Sequence, residues 1–167
     1  MRFHGLGLVC VAALSCSGGV SFAASSAKTV DLTAILAVQI AKAKRSGVRV
    51  LIPSRIDAGL PASHLYASGG ANAAGYDIQL AAVRDCRDSS ACFVAEFWGG
   101  PGRLDLDGRV ALSKGITGRY RASSCGASCA PATIEWLEFG SRYTIQCIAS
   151  KGRLVALAGS AIGAGPR

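Results

Sequence analysis

From Tyr76 to Ala149 the chain repeats one pattern: short runs rich in aromatic and β-branched residues, each closed by Gly, Pro, Asp or Ser. "YDIQLAAV" (76–83) and "CFVAEFW" (92–98) are too short and too β-branched for helices and read as strands. "RVALSKGITGRYRA" (109–122) predicts either a hairpin around Lys114-Gly115 or one strand with a glycine-rich kink. "ATIEWLEFGSRYTIQCIA" (132–149) predicts a hairpin joined by Gly140-Ser141. "RLDLDG" (103–108) reads as a turn between strands. Parallel neighbours need a crossover of a dozen or more residues, whereas strands with such short connections pair antiparallel.

The flanks supply helices. In "SSAKTVDLTAILAVQIAKAKRSG" (25–47) Leu32, Ile35, Leu36, Ile40 and Ala43 follow three-four spacing, with Asp31 as N-cap and Ser46-Gly47 as stop. "VRVLIP" (48–53) reads as a strand that ends at a proline. Residues 54–75, rich in Gly, Ala and Ser, read first as a flexible surface loop; carrying Arg55, His64 and Tyr66, they are also the best candidate for a contact surface. Ser150 caps a terminal helix whose Leu154, Leu157, Ala158, Ala161 and Ile162 share one face. The sum is an α+β fold: about six antiparallel strands with an N-terminal and a C-terminal helix packed on the apolar face.

The N-terminus has the layout of a secretory signal. A basic start (Met1-Arg2) precedes an apolar stretch, Leu6 to Leu14, that is shorter than the ~20 residues needed to span a bilayer. Ser21-Phe22-Ala23 places small residues at −3 and −1 of a cleavage site. The expected organisation is a signal peptide over 1–23 and one exported domain over 24–167, periplasmic or secreted. Lipidation at Cys16 is the less favoured alternative, because Ala13 occupies the position usually held by a large aliphatic residue. Removing the leader leaves 167 − 23 = 144 residues, enough for a substantial core. The formal charge of +8 becomes +7 as Arg2 departs. That excess favours polyanionic envelope components, while the scatter of the cations and the lack of a basic, aromatic-interleaved stripe argue against nucleic acid.

Five cysteines follow the leader: Cys86, Cys92, Cys125, Cys129 and Cys147. In an oxidising compartment disulfides are the default, and the local pairs Cys86–Cys92 and Cys125–Cys129 are the simplest of several possible connectivities. Cys147 alternates with Tyr143 and Ile145 and reads as a buried, unreactive thiol. A zinc site is disfavoured because five residues separate Cys86 from Cys92. A catalytic Cys–His pair would have to use His64, which sits in a predicted loop.

No nucleophile elbow, P-loop, dinucleotide fingerprint or H-E-x-x-H motif occurs. Asp105 and Asp107 carry only a fragment of a calcium loop, and Glu135 and Glu138 point to opposite faces of a strand. No metal or cofactor is expected. Trp98, at a strand end before Gly99-Gly100-Pro101-Gly102 and near Arg103, is the aromatic best placed for a sugar or peptide contact. The candidate binding residues are therefore Trp98, Arg103, Arg55, His64 and Tyr66.

The order "LIPSRI", "GYDIQLA", "ACFVAEFWGG", "VALSKGITGRY", "ATIEWLEFGSRYTIQC" and "LVALAGSAI" resembles a family of uncharacterised bacterial exported domains. Domains related to these sit on the outer side of anti-sigma-factor-like membrane proteins. The resemblance covers roughly residues 48–162 and implies this fold and an exported location; it implies no site residues. The functional expectation is a non-enzymatic, disulfide-stapled binding module of the envelope. Its partner would be an envelope protein or a polyanionic envelope component. The alternative is an exported inhibitor or immunity protein that blocks an envelope enzyme through the 54–75 segment.

Overall fold

The computed structural model describes residues 29–86, 89–126 and 128–167. The expected leader over 1–23, Cys16 and the expected mature start at Ala24 lie outside them, as do Arg87 and Asp88 of the turn predicted between Cys86 and Cys92.

In chain order the elements are β1 (Thr29–Asp31), α1 (Ala37–Ala43), β2 (Arg55–Asp57), β3 (Tyr66–Asn72), β4 (Gly75–Ala81) and β5 (Phe93–Gly100). There follow β6 (Gly108–Ala111), β7 (Thr117–Arg121), β8 (Ser124–Cys125), β9 (Cys129–Ala130), β10 (Ala132–Glu138), β11 (Ser141–Cys147) and α2 (Lys151–Ala164). Seven strands form one antiparallel sheet in the order β3-β4-β5-β11-β10-β7-β6; β1 pairs with β2, and β8 with β9. The fold is α+β, with a larger sheet than the six strands expected.

Alternation decides the two faces of the sheet. Tyr76, Ile78 and Leu80 of β4, Ala95 and Phe97 of β5, Ile134 and Trp136 of β10, and Tyr143, Ile145 and Cys147 of β11 are all buried. They join Leu32, Leu36, Val50, Leu51, Leu154 and Ile162 in one core cluster. Trp136 and Tyr143, opposite each other in register, stack at 5.6 Å between centroids. The β10–β11 turn is Phe139-Gly140, one residue earlier than the sequence suggests, with φ of 50° and 74°. Positive φ at both central residues is the hairpin geometry that glycine eases.

Four expectations need correction. The first helix is neither N-terminal nor capped by Asp31: β1 precedes it, and the Asp31 carboxylate accepts a bond from the Thr33 N–H at 2.7 Å in a local turn. That bond, first among its causes, holds the Asp31 carboxyl below its ordinary range. In the segment 48–53, Val50, Leu51 and Ile52 are buried yet join no ladder; both backbone polar groups of Leu51 are satisfied by the Tyr76 hydroxyl instead. Residues 54–75 are not a long loop. They make β2, a turn of 3-10 helix over Ala62–His64, and the edge strand β3, on which α1 packs.

The stretch "RLDLDG" is also not a turn between neighbouring strands. β5 lies in the middle of the sheet and β6 at its edge, so residues 101–107 cross the outer face to connect them. The following strands, β7, β10 and β11, return inward until β11 closes against β5. This crossing places a strap over the solvent-facing side of the sheet.

Candidate functional site

The strap is held from below by a carboxylate. Glu135, buried in β10, accepts from the Asp105 N–H at 2.5 Å and the Leu106 N–H at 2.6 Å through Oε1. Arg142 of β11 donates to the Arg103 carbonyl at 3.2 Å and pairs with the Asp105 carboxylate, and its Nη1 lies 3.8 Å from Glu135 Oε2. Its guanidinium also sits over the Trp98 ring, 4.7 Å from the centroid. Gly100 makes room: a Cβ there would approach Trp98 Cζ2 to 2.8 Å.

Beside the strap, Trp98 opens onto a groove of about 330 Å³ floored by polar side chains. Register explains the floor and extends its row to Gln79, which lies outside the groove. Gln79 pairs with Glu96, Glu96 with Gln146, Gln146 with Thr133, and Thr133 with Arg121, so these five stand side by side across β4, β5, β11, β10 and β7. With strands ~4.8 Å apart, the row runs about 19 Å. Arg103, Arg109, Arg119, Arg121 and Arg142 on this face are matched in number by Asp77, Glu96, Asp105, Asp107 and Glu135. The positive excess of the chain therefore lies elsewhere.

The candidate residues from the sequence divide among three places. Trp98 lines the groove, and Arg103 is exposed in the strap, where its carbonyl receives Arg142. Exposed His64 and half-buried Tyr66 stand at the start of the edge strand β3, where the Arg84 guanidinium lies 5.5 Å from the Tyr66 ring centroid. Arg55 is on β2, at the rim of a different cavity. Sequence does not single out Arg142, and it brings in Glu135 only as half of a rejected carboxylate pair with Glu138. The available signal was a carboxylate inside the apolar run "ATIEWLE" at an outward position of a central strand.

Disulfides join Cys86 to Cys92 and Cys125 to Cys129, while Cys147 is a free, buried thiol. Burial pushes that thiol up to about 12. Its cavity lining does not include His64. Among the described residues no cluster of His, Cys, Asp and Glu is arranged to hold a metal ion, and no helix is long and apolar enough to cross a membrane. The fold and site together define a disulfide-stapled α+β module with an open, polar sheet face. Comparison with protein families, characterised proteins and solved structures finds no match to this chain.

Proposed function

We propose that this protein is an exported, non-enzymatic binding module of the bacterial envelope that recognises a polysaccharide through the outer face of its sheet. The observation that carries the reading is the row Gln79, Glu96, Gln146 and Arg121, with Thr133 buried between the last two, running beside Trp98. Donors and acceptors repeated over about 19 Å suit an extended polymer of hydroxyl groups, and an aromatic ring offers an apolar surface for a sugar face. Equal numbers of arginines and carboxylates favour a neutral or weakly charged chain on this face. A Trp98 held by Arg142 loses little side-chain freedom when it binds.

Two disulfides support an oxidising compartment, and the sequence of the leader supports export. A thiol kept protonated by burial is a poor nucleophile, which supports a non-enzymatic role. The inhibitor reading loses its protruding segment, since 54–75 is built into β2 and the sheet edge. A polyanionic partner retains one supporting feature, the cluster Lys42, Lys44 and Arg45 around the end of α1.

Co-sedimentation with envelope polysaccharide at low and high salt separates these partners. Retention that survives salt and disappears in Trp98→Ala is the expected result. Retention abolished by salt and indifferent to Trp98→Ala would transfer the function to the α1 cations, because exposed charge contacts are screened.

A further inference from the structure

A cavity of about 470 Å³ lies away from the sheet face, between α2, β2 and the adjoining ends of β5 and β11. Protein interiors pack densely, so a space of this size at a helix–sheet junction requires a cause. The cause is in the sequence. Ala58, Ala82, Ala91, Ala149, Ala156 and Ser160, drawn from separate segments, surround one volume that larger aliphatic residues would fill. Leu60, Phe93, Val94 and Leu157 give it an apolar wall, and Ile148, 63% exposed, extends that wall to the mouth.

One wall is fixed covalently. The Cys86–Cys92 disulfide holds the turn that carries Ala91 and Cys92, and the Ala82 N–H donates to the Cys92 carbonyl at 2.8 Å. The charged lining is Arg55, Arg153 and Asp57: two cations against one carboxylate. Arg153 pairs with Asp57, which leaves Arg55 exposed at the rim. The Asp31 carboxylate, on the residue opposite Arg55 in register, accepts from the Thr33 N–H and is also stabilised by the Arg55 charge, so an acidic head group at Arg55 shares that cation with Asp31. A pocket of this volume encloses a small organic ligand, with its few polar groups setting orientation.

We propose that this cavity binds a single-chain anionic amphiphile, with the alkyl chain among the alanines and the acidic head at Arg55 and Arg153. The site is independent of the sheet face, so it stands whether or not that face binds polysaccharide.

Calorimetric titration of the purified, oxidised protein with dodecanoate tests it, with butanoate and dodecyltrimethylammonium as comparison ligands. Dodecanoate binds at one site; butanoate, which lacks most of the chain, and the cationic ligand bind at least about tenfold more weakly. Arg55→Glu weakens dodecanoate by a similar factor. Ala91→Trp and Ala156→Trp change exposed positions, so they preserve the fold while filling the cavity, and they abolish binding. Absence of dodecanoate binding, equal affinity for the cationic chain, or undiminished binding in both tryptophan variants with native circular dichroism would each overturn the proposal.

Discussion

The hydroxyl of Tyr76 serves both backbone polar groups of Leu51, accepting from its N–H at 3.1 Å and donating to its carbonyl at 3.2 Å. Nearby, the Tyr143 hydroxyl donates to the Arg49 carbonyl at 2.9 Å, and the Arg167 N–H donates to the Val50 carbonyl at 3.1 Å. Val50 and Leu51, buried outside any sheet, thus have backbone polar groups paired by a tyrosine hydroxyl and by Arg167. Tyr76→Phe leaves a buried N–H and carbonyl orphaned at almost constant volume. It should cost about 1–3 kcal/mol in urea unfolding, with the slope on denaturant unchanged.

Glu135 governs the strap. Glu135→Ala removes the acceptor shared by the Asp105 and Leu106 N–H groups and should release residues 101–107 from the sheet. Trypsin should then cut after Arg103 at a rate the parent protein does not show, through a local opening made easier by about 1–3 kcal/mol. Glu135→Gln keeps an acceptor oxygen and should fall between the two.

Burial of Cys147 and Tyr76 gives a pH dependence with a definite sign. Burial raises both groups above their ordinary values, the thiol from 9.0 to about 12. Above about pH 9 the unfolded chain releases a thiol proton that the folded chain still holds. The unfolded state therefore binds fewer protons, and stability falls as pH rises toward 12, by at most about 1.4 kcal/mol per pH unit for each group. Urea midpoints measured between pH 8 and pH 11 should drop, and Cys147→Ala should make the decline shallower.

The disulfides close short loops, so each should contribute only about 2 kcal/mol. Reduction should lower the melting temperature without abolishing folding, because the core of Trp136, Tyr143, Phe97 and Tyr76 does not depend on them. Titration of the oxidised, leader-free chain should find one thiol after denaturation and almost none before, since Cys147 is 3% exposed.

Local chemistry made much of this legible. The run 132–149 is dense in β-branched and aromatic residues, and it forms the β10–β11 hairpin with a turn one residue from its expected place. The face of Leu154, Ala158, Ala161 and Ile162 marks α2 in the same way. β3 escaped because "YASGGAN" has little β propensity; its partner β4 and the cover of α1 make it a strand. The opposite happened at "VRVLIP", whose β-branched residues signal a strand while tyrosine hydroxyls, distant in sequence, complete its hydrogen bonding. Trp98 and Arg103 stood out beside a glycine-rich turn. Glu135 and Arg142 acquire their roles from a strap that crosses from mid-sheet to edge, a long-range relation absent from any local window.

The polysaccharide account is tested most directly by chemical-shift mapping during titration with envelope glycan fragments. It predicts that the largest shifts fall on the Trp98 indole N–H and on the backbone amides of Glu96, Gln146, Thr133 and Arg121, and that they persist in high salt. Shifts concentrated instead at Lys42, Lys44 and Arg45 and erased by salt, or no shifts at saturating glycan, would contradict it.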